Sequence, residues 1–180
     1  MIKAGLASGM IAALLALLLP AAAAGQDIPP LTDNAVPEGF VLVKTISHTG
    51  SAAWTDTGIE VKLGDELYFE AEGSVSIQKN NPVAVCGPEG LTLRTMQQPI
   101  LDKPLGCLIG MVVFRVDVAE DKETKEKTER RYGERFVIGK GLLAAMPETG
   151  RLMLGINENV TGDNEGEFVV RIYRKTGSRG

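Results

Sequence analysis

The chain has 180 residues, a length that suits one domain, and its 19 Lys and Arg against 23 Asp and Glu leave a net charge of −4. That sign argues against a nucleic-acid partner, because phosphate binding needs a basic surface. Two cysteines and one histidine leave too few soft ligands for a zinc site.

In chain order, Lys3 precedes an Ala/Leu run from Met10 to Leu19, then Pro20 and four alanines. A short positive start, an apolar middle and small residues at 22 and 24 have the form of a secretory signal peptide, residues 1–24, cut near Ala24. The apolar run is short for a membrane span, so the mature chain is expected to have none, an uncleaved anchor being the alternative. No cysteine follows the alanines, which argues against lipidation. The product is expected in the periplasm or the medium. Loss of Lys3 leaves 18 basic and 23 acidic residues, a net charge of −5.

Residues 25–38, with Pro29, Pro30 and Pro37, read as a linker. The domain proper spans 39–176. Phe40, Leu42 and Val43 start a strand. Ile59, Val61 and Leu63 alternate with Glu60 and Lys62, and Leu67, Phe69 and Ala71 alternate with Tyr68, Glu70 and Glu72. With Gly64-Asp65 between them, these two runs are expected to form a hairpin. Residues 78–106 read as a long loop with at most one short strand or helix, and loops of that length are usually functional or anchored.

Cys107 to Val118 reads as an apolar strand. The charged insert 119–135 follows, with Glu123/Lys127 and Glu126/Arg130 spaced for helical ion pairs. A solvated hairpin tip is the alternative, and the preferred one. Phe136–Ile138 resumes a strand, and Leu142–Met146 reads as an apolar link. Leu152, Leu154 and Ile156 alternate, as do Phe168, Val170 and Ile172. Seven or eight short strands without βαβ alternation predict an all-β protein, a small antiparallel sandwich of jelly-roll character. Cys86 and Cys107 are expected to form a disulfide in an exported protein, two buried thiols being the alternative.

The last two strands flank Asn157-Glu158-Asn159-Val160-Thr161-Gly162-Asp163-Asn164-Glu165-Gly166. Calcium takes six to eight oxygen ligands, and this loop concentrates carboxylates and amides within a few residues. Glu158, Asp163 and Glu165 would otherwise repel one another. It is not an EF-hand: counting from Asn157 puts Gly162 at the required glycine but Phe168 at the position of the bidentate Glu. A polar hairpin loop built from turn-forming residues is the alternative.

Gly150–Glu158 followed by Asp163–Val170 resembles the bacterial galactophilic lectin family of the LecA (PA-IL) type. Trp54–Ile59, Gly64-Asp65, Ala71–Gly73, Gly87–Gly90, Leu108–Gly110 and Phe136–Gly139 resemble earlier parts of that family, in the same order. The resemblance implies a β-sandwich whose one calcium bridges protein and sugar. By position it implies Glu158, Asp163 and Asn164 as side-chain ligands, with carbonyls from Val160 and Ile77. It implies Arg94, Gln97 and Gln98 as contacts to a glycan, together with Glu158 and Asp163. Three departures stand out. Arg94 replaces the family's sugar-contacting His, Ile77 replaces its Tyr, and the acidic loop is shorter by two residues.

The favoured expectation is therefore a calcium-dependent, lectin-like exported protein whose partner is a glycan, with a homo-oligomer left open beside a monomer. The alternative is a calcium-stabilised structural or protein-interaction domain. An enzyme is not expected. His48 has no nucleophile motif near it, and Glu158 with Asp163 suits a metal loop better than a glycosidase pair. Trp54 either stacks on a sugar or packs as a shelf residue.

Overall fold

Alternation of apolar and polar residues decides which face of each strand is buried, and nine strands follow from it in the computed structural model, which describes residues 36–96 and 98–177. The signal peptide and residues 25–35 of the linker lie outside the described residues. The strands are β1 Phe40–Thr49, β2 Trp54–Val61, β3 Glu66–Ser76, β4 Val85–Cys86, β5 Leu108–Glu120, β6 Lys127–Val137, β7 Gly141–Ala145, β8 Gly150–Ile156 and β9 Glu165–Lys175. One 3-10 turn, Pro82–Ala84, precedes β4.

One sheet runs β1-β9-β3-β4, with β7 also on β3, and the other runs β2-β8-β5-β6. Every pairing is antiparallel. Leu67, Phe69 and Ala71 of β3 and Phe168, Val170 and Ile172 of β9 meet Leu108, Val112, Leu152, Leu154 and Ile156 of the opposite sheet in one core. The architecture is an antiparallel β-sandwich.

The expected β2–β3 hairpin is not formed. Val61 pairs with Gly150, whereas Glu66 pairs with Ala145 in the other sheet. The Gly64-Asp65 turn is a corner between sheets, closed by Asp65 N donating to Lys62 O (3.0 Å) and tied down by Gly64 N donating to Met146 O (2.9 Å). Both runs bury one face in the same core, which is all that alternation specifies. It does not say whether two strands bond edge to edge or face each other across the core. Leu142–Met146, read as a link, supplies β7, where Leu142 and Ala144 pair with Phe69 and Leu67.

The charged insert is the hairpin end of β5 and β6 and holds no helix. At its tip Asp121 Oδ1 accepts from Glu123 N and Thr124 N, both at 2.8 Å, and Lys125 turns with φ 61°. Lys125 reaches Glu120 (3.7 Å), and the helical pairs are not made. Arg115 stacks over the Tyr132 ring at 4.2 Å.

Cys86 and Cys107 are free thiols, both buried, in place of the expected disulfide. Cys86 Sγ donates to the Gly106 carbonyl (3.8 Å). Burial pushes both thiols up to about 11, which leaves them protonated and unreactive near neutral pH.

His48 is fully buried in β1, with Nδ1 against Thr55 Oγ1 at 2.8 Å and, among the described residues, no partner for Nε2. It is a core residue with no acid beside it. Burial pushes the imidazole down from 6.5 to about 4. Between those values the unfolded chain binds a proton that the folded chain does not, so stability falls as pH drops through that window. By about pH 5 this group alone costs about 2 kcal/mol. In urea titrations, His48→Gln is expected to lessen the stability lost between about pH 7 and about pH 5 by that amount.

Candidate functional site

β8 and β9 lie in different sheets, so the acidic loop is a bridge over one end of the sandwich and not the tip of a hairpin. Its first residue anchors it. Asn157 is fully buried. Its Oδ1 accepts from Ile100 N (2.8 Å), and its Nδ2 donates to Ile100 O and Pro104 O, both at 3.0 Å. Its backbone N donates to Cys107 O (2.8 Å). One side chain thus fixes the end of the long 78–106 loop against the start of the acidic loop.

The far end is anchored by backbone. Gly50 N donates to Gly166 O (2.9 Å), and Lys79 N donates to Asp163 O (2.9 Å). Gly166 has φ 85°, and a Cβ there would stand 2.3 Å from Ser74 O, so no other residue fits. Glu165, one of the three carboxylates expected to crowd the loop, turns away to pair with Lys79 Nζ at 2.9 Å.

Glu158 and Asp163 remain. Both line a cleft of about 330 Å³ together with Ile77 and Gln78 after β3, Asn81 and Val83 of the 3-10 turn, and Leu91 and Leu93 of the long loop. The 3-10 turn is set by Asn81, whose Oδ1 accepts from Val83 N (3.2 Å), with Pro82 at its first position. Asn164 is buried behind Glu158. Its Nδ2 donates to Glu158 Oε2 (3.0 Å) and Gly50 O (3.2 Å), while its Oδ1 has no partner among the described residues. Burial first, and then the charge of Asp163, raise the Glu158 carboxyl above its usual range, against the Asn164 hydrogen bond.

The electrostatics are those of a site short of positive charge. A half-buried carboxylate, a second carboxylate on the same cleft and a buried amide oxygen without a donor are the groups that a hard cation takes. The donor set is oxygen only and fits calcium chemistry. Among the described residues no three His, Cys, Asp or Glu side chains cluster for a metal, so further ligands would have to be carbonyls or water.

Of the residues singled out in the sequence, Ile77, Glu158 and Asp163 share the cleft, and Asn164 backs it. Val160 is exposed at the loop's outer turn. Arg94 is exposed and does not line the cleft. Gln98, expected to touch a glycan, is 4% exposed. Its amide is consumed inside the long loop: Oε1 accepts from Thr95 N (2.9 Å), and Nε2 donates to Ile100 O and Lys103 O, both at 2.7 Å. It is a structural residue, because a buried amide with its bonds made has none to offer a ligand. Gln97 lies outside the described residues. Gln78, Asn81 and Val83 were not singled out, although Asn81-Pro82 carries a helix-start signal.

Trp54 pairs with Gly155, two residues before the acidic loop begins, but its side chain does not line the cleft of that loop. It packs on Met111, Val113 and Met153 on the outer face of the second sheet, over Gly155. A second cleft of about 370 Å³ lies there, lined by Trp54, Met111, Glu129, Arg131 and Arg135.

No protein-family model matches the chain, and no curated protein matches it. Among solved structures it resembles the N-terminal domain of EclA, described as a PllA-like lectin, at a TM-score of 0.51 and 22% identity over 74% of this chain and 98% of that one. The likeness is one of fold, and this chain has a lectin-like β-sandwich fold.

Proposed function

We propose that this protein is an exported, calcium-dependent carbohydrate-binding protein whose site is the cleft under the acidic loop. The observation that carries the reading is Asn164: a buried amide oxygen without a donor, held by its own nitrogen against the Glu158 carboxylate. A buried acceptor left bare costs about 1–3 kcal/mol, which a bound cation reaching Asn164 Oδ1 beside the two carboxylates would recover.

Glu158, Asp163 and Asn164 would hold the ion through side-chain oxygens, with carbonyls of Ile77 and Val160 as further donors. Calcium bound there would neutralise the carboxylates and present coordination positions to the vicinal hydroxyls of a sugar. The chain's own residues then shape the rest. Asn157 holds the loop in place, Gln78, whose Oε1 accepts from Asn81 Nδ2 (2.8 Å), offers its amide nitrogen at the rim, and Val83 and Leu93 give an apolar edge for the less polar face of a ring. Binding is preferred to catalysis by analogy with the lectin domain of like fold, since fold alone does not fix function.

A second reading is favoured by Gln98 and Ile77. With the Gln98 amide turned inward and an apolar side chain at Ile77, the cleft has few polar groups to select a sugar. The domain would then use calcium to pin its loop and would bind a protein or nothing. A glycan array probed with the purified protein, with calcium and with chelator, separates the two. Glycan signals lost in chelator and regained with calcium are expected. Thermal stabilisation by calcium with a blank array supports the second reading. Indifference to calcium in both assays overturns the proposal.

A further inference from the structure

Strand β6 ends the second sheet: β5 covers one side of it, and among the described residues no strand covers the other. An uncovered strand of 11 residues is a template for backbone pairing with another chain. Charges on such an edge normally repel any comer. Here their order is matched to itself. The strand reads Lys127-Thr128-Glu129-Arg130-Arg131-Tyr132-Gly133-Glu134-Arg135-Phe136-Val137.

Turned end for end about Tyr132, a second copy of β6 puts Glu129 opposite Arg135 and Arg130 opposite Glu134, each pair occurring twice. Arg131 falls opposite Gly133, which leaves room for its side chain. Residues opposed across antiparallel strands share a sheet face, where unlike charges attract. Glu129 and Arg135 do share one, since both line the cleft beside Trp54. By alternation, Arg130 and Glu134 share the other face with Tyr132. Neighbouring registers are penalised. A slip of one residue sets Glu129 against Glu134, or Arg130 against Arg135. A slip of two sets Arg131 against its own copy, or against Arg135. One alignment alone satisfies the strand, and it is two-fold symmetric.

We propose that β6 binds β6 of a second copy in this register, joining the β2-β8-β5-β6 sheets of two copies into one continuous sheet. The interface is isologous and closed, so it yields a dimer and not a fibre. It uses none of the residues that line the cleft of the acidic loop.

Sedimentation equilibrium of the purified protein tests this. The wild type is expected to be a dimer that weakens with salt. Glu129→Arg alone and Arg135→Glu alone each set like charges together in both copies of one pair, and each is expected to weaken the dimer ~30-fold. An equimolar mixture of the two variants is expected to dimerise again, because the charge introduced at 129 in one meets the charge introduced at 135 in the other, and the native Arg135 and Glu129 meet as before. Recovery on mixing cannot come from two misfolded variants. A wild type that stays monomeric at its solubility limit overturns the proposal. So do single variants that dimerise like the wild type, or a mixture no more dimeric than its components.

Discussion

Asp163→Ala is expected to abolish calcium-dependent stabilisation while leaving the calcium-free protein as stable as the wild type, or slightly more so. The wild type should gain about 2.7 kcal/mol at calcium near 100 times its dissociation constant. For a domain of this size that is roughly an 8 °C rise in melting temperature. Asp163 supplies one of the two carboxylates on the cleft, while its backbone carbonyl, which holds Lys79 N at 2.9 Å, survives the substitution. The loop is therefore expected to keep its path. Without the ion, the Asp163 charge only raises the neighbouring Glu158 carboxyl, and its removal relieves roughly a few tenths of a kcal/mol of repulsion. The two curves should cross as calcium is added. General damage would lower the variant at every calcium concentration. A variant that keeps the full calcium response would place any ion elsewhere.

Asn157→Ala should produce the largest single loss of stability around the site, about 3 kcal/mol by urea denaturation. The substitution strips Ile100 N of its partner, and costs Ile100 O and Pro104 O one donor each, leaving them Gln98 Nε2 (2.7 Å) and Cys107 N (3.5 Å), beside a fully buried side chain. Asn157→Asp tests the mechanism. It keeps the acceptor for Ile100 N but sets a carboxylate against two carbonyls, so it should be no better than alanine. At exposed Val160, three residues along, alanine should change stability by less than about 0.5 kcal/mol. If Asn157→Asp is harmless, the geometry assigned to that side chain is wrong.

How far this molecule can be read from its residues depends on the kind of information each segment carries. Leu67-Tyr68-Phe69 and Phe168-Val169-Val170 announce a buried face by period two, and the sandwich follows from several such runs. Sheet membership is not encoded in that period. The β2 and β3 runs therefore looked like hairpin partners, although one bonds β8 and the other β9.

At the site, the oxygen-rich composition of 157–166 marked the loop, and Glu158, Asp163 and Asn164 do gather. Gln98 misled because its place in the family resemblance says nothing of which way its side chain turns. Only the fold shows that its amide closes the long loop on itself. Asn157 is the converse case, counted as one more oxygen of the acidic loop but used as its fastening. A satisfied buried amide and a ligand amide look the same in one dimension.

The position of β9 bears on how the domain folds. It is the last of the nine described strands, yet it lies between β1 and β3, bonding Lys175 to Phe40 on one side and Arg174 to Leu67 on the other. Until β9 docks, β1 has no hydrogen-bonded neighbour among the described strands, and the first sheet cannot close. Partners so distant along the chain make for slow, all-at-once folding. A chain lacking β9 should stay open and protease-sensitive, although it holds the other eight strands.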